Sequence, residues 1–289
     1  MPDLKRRGFT LVELLIALTL LGIITAVLYR TLVNNQRIYQ KQTQVIDLQQ
    51  NIRAAATILP AEFRELDATD GDIYAMSATS LKIRAMRSLG FMCNPPITGA
   101  GLNGLVMTMR QSPWFGRAIN TTSDSLLIRY EGDEGSRMDD SWAVAKPTLT
   151  ASLACPDGKA GTAVTVNILL GGAGQPANAP SSIYAGGAVR AFEVVTYKLY
   201  QSGSDWYIGL ETSNGTQPLI GPVLSNGLAF VYYDSTGAVT ALTNKVARID
   251  ITVRGRTQQP VRSTAGSSTL ANVVDSITAS VALRNNARF

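Results

Sequence analysis

Three positions near the start of the chain have the types and spacing for chemistry. Gly8 is followed by Phe9, and a lone carboxylate, Glu13, stands four residues further on at the head of an apolar run. A cut after Gly8 would leave Phe9 with a free α-amine, mostly charged because such groups have a pKa near ~7.7–8.0. On a helix that amine shares a face with Glu13. It can neutralise the acid of its own chain or that of a neighbouring molecule. An acid in mid-membrane costs roughly 2.5–3.5 kcal/mol, and intramembrane charges are as a rule paired and functional. Near a helix start the cost falls, because the helix dipole favours an anion there. A tolerated interfacial carboxylate is therefore the plainer account of Glu13, and an ion pair the sharper one.

The element that must carry these residues runs from Phe9 to Tyr29, 21 residues with Glu13 as their only charge. A helix of ~20 residues spans a hydrocarbon core of ~30 Å. Lys5, Arg6 and Arg7 precede it, so the N-terminus is expected in the cytoplasm and the rest outside. A secretory signal peptide would have an apolar core of roughly 7–15 residues and a small-x-small cleavage site. Here the run is longer and "ITAVLYR" (24–30) is a poor site. A plain single-pass anchor leaves Glu13 unexplained.

The stretch "KRRGFTLVELLIAL" (5–18) resembles the N-terminal signal of type IV prepilins and type II secretion pseudopilins. The pattern is carried by Gly8, Phe9, Thr10, Leu11, Val12 and Glu13 after a short basic leader. The resemblance implies that a prepilin peptidase cuts between Gly8 and Phe9 and that Phe9 is then N-methylated. It implies an assembly role for Glu13, leader charge at Lys5, Arg6 and Arg7, and a structural rather than enzymatic protein. The family also has a special tip subunit without the acid, so Glu13 implies a different position for this chain. This likeness covers only the first thirty or so residues.

Beyond the apolar run, polar "NNQR" (34–37) marks the exit from the membrane. Ile38, Val45, Leu48, Ile52, Ala55 and Leu59 then fall on one helix face, with no Gly or Pro between 34 and 59. A single helix from Phe9 to Leu59 would be roughly 75 Å long. Pro60 is expected to kink it or start a new helix. Alternating, β-branched and aromatic runs follow at 80–87, 104–109, 124–130, 161–170, 190–200, 205–211, 226–234, 245–255 and 273–284. "YDSTG" (233–237) reads as a turn, and a hairpin is centred on Gly203. Segments 93–104 and 171–187 read as loops rich in Gly, Pro and small residues. The order is α+β: a long N-terminal helix, half membrane and half amphipathic, packed on a C-terminal antiparallel sheet domain. That layout is pilin-like. "LSNGLAFVYYDSTG", "VARIDITVRG" and "SITASVALRN" are similar to the C-terminal half of PilW-like minor pilins and J-type pseudopilins.

Composition bounds what else the chain can do. It has 289 residues, 45% hydrophobic and 16% charged, and a formal charge of +5. Removing three leader cations and Asp3 from 26 cations and 21 anions leaves 23 against 20. That is too mild a surplus for a nucleic-acid protein. The chain has no histidine, which removes Ser-His-Asp and Cys-His nucleophiles and histidine metal sites. Cys93 and Cys155, an even pair in an oxidising compartment, are expected to form a disulfide, with two separate buried thiols as the alternative. The acidic clusters "DATDGD" (67–72) and "EGDEGSRMDD" (131–140) do not have EF-hand spacing and read as solvated turns rather than calcium sites. "GGAGQ" (171–175) has no Lys-Ser/Thr of a phosphate loop. Lys82 and Arg84 alternate along a strand, as on a solvated sheet face.

The expected organisation is a cleaved leader (1–8), a transmembrane and filament-core helix (9–33), its amphipathic continuation (34–66), and an extracytoplasmic β-rich domain (67–289). The expected function is that of a minor pilin-like subunit that initiates or caps a type IV pilus-type filament. The alternatives are a type II secretion pseudopilin and a DNA-uptake competence pilin. Expected partners are other minor and major pilin subunits, the prepilin peptidase and inner-membrane lipid. No nucleic acid, cofactor or metal is expected. The place of action is the bacterial inner membrane, with the C-terminal domain periplasmic, and then a periplasmic or cell-surface filament.

Overall fold

A computed structural model describes residues 10–96, 103–131, 141–171, 182–262 and 269–284. Lys5, Arg6, Arg7, Gly8 and Phe9 lie outside the described residues, as do most of the second acidic cluster and of the glycine-rich stretch. Helix α1 (Leu11–Phe63) is followed by β1 (Ile73–Met76), β2 (Ser80–Asn94), β3 (Leu105–Arg110), β4 (Phe115–Gly116), β5 (Ser125–Tyr130), β6 (Ser141–Ala154) and β7 (Ala160–Ile168). Then come β8 (Ala188–Ser202), β9 (Asp205–Thr212), β10 (Gly215–Tyr233), β11 (Arg248–Arg256), β12 (Val261–Arg262), β13 (Leu270–Ala271) and β14 (Val274–Ala282). The layout is α+β, one long N-terminal helix on a large antiparallel sheet domain.

The chain forms two compact units. The first comprises the described residues up to Gln50 together with those from Arg256 to Val274. Its helical part carries the apolar run, and from Leu11 to Leu32 every large apolar side chain is more than half exposed. That is the pattern of a helix whose solvent is not water. The strand pair β12–β13 belongs here too. The Gln259 amide donates to Gln44 Oε1 at 3.2 Å, and the Thr257 and Val273 backbones bond at 2.9 Å.

The second unit holds Asn51–Gly255 and the described residues after Val274. Ile52, Ala55, Leu59 and Phe63 are buried, four members of one helical stripe. The Phe63 ring meets Tyr197 edge-on at 5.3 Å and Phe230 at 5.9 Å, so this stripe is seated on β8 and β10. The helix runs through Pro60 to Phe63 without the expected break. Arg64 N–H still bonds to Pro60 O at 3.0 Å, which holds the last turn closed. Asn51 Nδ2 donates to Gly221 O at 3.0 Å.

Strand pairing in this unit has two parts. The first half of β2 joins the second half of β8, and β9, β10, β11 and β14 extend that sheet. Along β11 burial alternates, with Ile249, Ile251 and Val253 inward. The second half of β2 starts a closed ring. It pairs with β3, β3 with β7, β7 with β6, β6 with β5, β5 with β8, and β8 again with β2. Six antiparallel strands thus close into a small barrel, in which the end of β6 from Pro147 to Ala154 is paired on its β7 side only. Its interior is filled by alternate residues: Met107 and Met109 on β3, Leu126 and Ile128 on β5, Val164 and Val166 on β7, with counterparts on the other strands. The intervening Leu127, Val144 and Phe192 form a separate cluster on the outer face.

Candidate functional site

Helix α1 starts at Leu11, which makes Thr10 its N-cap and Glu13 its third helical residue. The two side chains bond reciprocally. Thr10 N–H and Thr10 Oγ1–H both donate to Glu13 Oε2 at 2.9 Å, and Glu13 N–H donates to Thr10 Oγ1 at 3.3 Å. This is a capping box, in which two helix-start donors are satisfied at once. Glu13 therefore has a local structural duty in addition to its charge. Its Oε1 has no partner among the described residues. The T-x-x-E spacing that announces the box is in the sequence, and Thr10 is the residue that reasoning from charge alone passed over.

The carboxylate stands at the head of an element long and apolar enough to cross a membrane. A cation brought to Glu13 Oε1 would there meet an acid already fixed in position by Thr10. Residues 3–29 match the prokaryotic N-terminal methylation motif. The chain carries a prepilin-type N-terminus. The match is consistent with a member of the type IV pilin and pseudopilin family, which is a family of structural subunits. It implies processing by prepilin peptidase and assembly with other pilins. No curated protein and no solved structure matches the chain.

The second predicted site lies in the barrel. Cys93, on β2, and Cys155, just after β6, have their sulfurs 2.02 Å apart and their Cα atoms 5.7 Å apart. The bridge ties β2 to the β6–β7 turn. Beside it Asp157, in that turn, accepts from Arg110 at 2.7 Å. This contact and the Lys159 N–H hold the Asp157 carboxyl below its ordinary range.

Arg84 departs from the solvated face expected of it. It is buried, with its guanidinium 3.2 Å from Asp72 and 4.9 Å above the Phe192 ring. The first acidic cluster explains the difference. Asp67 Oδ1 caps the turn by accepting from Thr69 and Asp70 N–H, while Asp72 folds inward and accepts from Asp67 N–H at 2.8 Å. Burial pushes the Asp72 carboxyl up to about 6, against the opposing pull of that hydrogen bond and of Arg84. The cluster is thus a turn with one inward acid, and no group able to hold a metal occurs among the described residues.

Proposed function

We propose that this chain is a minor pilin-like subunit that initiates or caps assembly of a type IV pilus-type filament. The observation that carries the reading is the N-terminal motif at residues 3–29, which contains an acid, Glu13, set in the first turn of the apolar helix. In this reading the peptidase removes residues 1–8 between Gly8 and Phe9, and Phe9 is N-methylated. The Phe9 amine of one subunit then pairs with Glu13 of its neighbour. Two lone charges in hydrocarbon are each costly, and pairing removes most of that penalty. A slip in axial register would leave both charges unmet, so the pair selects one register. The subunit waits in the inner membrane with its sheet domain periplasmic, and then enters the filament with other minor and major subunits.

The test is Glu13→Gln. Glutamine serves at the third position of a capping box as glutamate does, so the helix start survives while the charge is lost. The variant should insert and be processed, yet be recovered with partner subunits at a small fraction of the wild-type level. Recovery at the wild-type level would exclude intersubunit pairing. The identity of the recovered partners separates a pilus from a type II secretion filament, in which the same subunit chemistry operates.

A further inference from the structure

The barrel is open at one end, and what lines that opening differs from what fills the rest. Paired residues on neighbouring strands point to one side of a sheet. Met109 pairs with Thr162, and Thr150 pairs with Val164, so Thr150 and Thr162 continue the inward-facing rows. The interior, apolar deeper down, turns polar here. A cavity of about 220 Å³ results, lined by the apolar Met109, Trp114 and Ile119 together with the polar Gln111, Thr150 and Thr162.

The apolar wall is fixed. The Trp114 ring lies on Gly90, where even a Cβ would collide with it, and its Nε1–H is committed to Arg117 O at 3.1 Å. Only its apolar surface remains to offer. Arg117 in turn forms a two-pronged bond with the fully buried Asp124, at 2.5 and 2.7 Å, and Asp124 also accepts from Asn120 N–H at 2.7 Å. The polar wall is unspent. Neither threonine hydroxyl has a partner among the described residues. Gln111 Nε2 donates to Gly161 O at 3.4 Å, which leaves its carbonyl oxygen to accept. Arg110, the charged residue among the described residues that line the mouth, is paired with Asp157 at 2.7 Å.

We infer that this barrel mouth binds a neutral saccharide unit, one pyranose ring with its apolar face on Trp114 and its hydroxyls toward Thr150, Thr162 and Gln111. The volume is below the roughly 300–1,000 Å³ of drug-sized pockets, which limits the occupant to about one six-membered ring. The cancelled rim charge selects against sugar acids and amino sugars. A mouth held in shape before binding loses little freedom on binding.

The test uses the full-length chain in a zwitterionic detergent free of sugar headgroups. Methyl glucoside, methyl galactoside and N-acetylglucosamine are titrated while tryptophan fluorescence is followed, with glucuronate, glucosamine and cyclohexanol as contrasts. At least one neutral sugar should give a saturable change with a dissociation constant on the order of 1 mM. Thr150→Val, which keeps shape and removes one hydroxyl, should weaken it about tenfold, and Trp114→Ala should weaken it further. No saturable change at a hundredfold excess over that value would overturn the proposal. So would tighter binding of a charged sugar or of cyclohexanol, or unchanged binding in Thr150→Val.

Discussion

At the scale of single residues, Glu13 shows how one side chain can hold two duties. Its Oε2 closes the first turn of α1 against Thr10, and in the proposed assembly the same carboxylate meets the amine of a neighbouring subunit. Thr10→Ala should destabilise the helix start by about 1 kcal/mol while leaving the carboxylate in place. Glu13→Gln should do the reverse. Comparing the two in membranes, by processing and by incorporation, divides cap from charge. Asp72 makes a different prediction. Its carboxyl is raised to about 6 in the fold, whereas the unfolded chain titrates near ~3.9. Between those values the folded chain holds the extra proton, so stability rises as pH falls from about 6 toward 4. Asp70 is shifted the same way, by burial and by Asp67. Asp157 and Asp234 are lowered, so their contribution is lost only at pH values below this window. Denaturant midpoints should therefore be higher at pH 5 than at pH 7, and Asp72→Asn should flatten the difference.

At the scale of elements, the barrel depends on two local constraints. Gly90 leaves room for the Trp114 ring, and Gly90→Ala should cost about 1–3 kcal/mol by forcing that ring out. Near-ultraviolet circular dichroism and a thermal midpoint would both report it. The Cys93–Cys155 bridge closes 62 residues of separation, which the chain-entropy model values at about 4 kcal/mol. Peptide mapping without reductant should recover that single linked pair, and Cys93→Ala with Cys155→Ala should lower stability by about that amount. Strands with β-branched alternation, such as β5, β9 and β11, were legible from sequence to within a residue or three. β6 was not. Its "SWAVAKPTLTASLA" is Ala, Ser and Thr with a proline, weak signals for a strand. Pro147 is tolerated because the pairing with β7 shifts just beyond it. β2 was read as eight residues and has fifteen, since Gly90 and Cys93 look like a break until the ring of partners is known. Arg84 departs from the solvated face its spacing suggests for a related reason: alternation along β2 cannot reveal that Asp72 and Phe192 cover one face. The pocket was invisible too, because its walls come from β3, β6, β7 and the segment between β3 and β5.

At the scale of the whole molecule, the chain joins an apolar helix start, able to bury itself in lipid or among other helices, to a sheet domain with its own closed core. The N-terminal motif was readable from six adjacent residues, because its chemistry is local. If the chain matures at that motif into a filament subunit, as proposed, protein extracted from its native membrane should have the intact mass of a chain beginning at Phe9, lighter by residues 1–8 and heavier by one methyl group. Gly8→Val, which places a branched side chain at the proposed cut, should keep the leader attached. A wild-type chain found at full length, in cells with an active prepilin peptidase, would rule that maturation out.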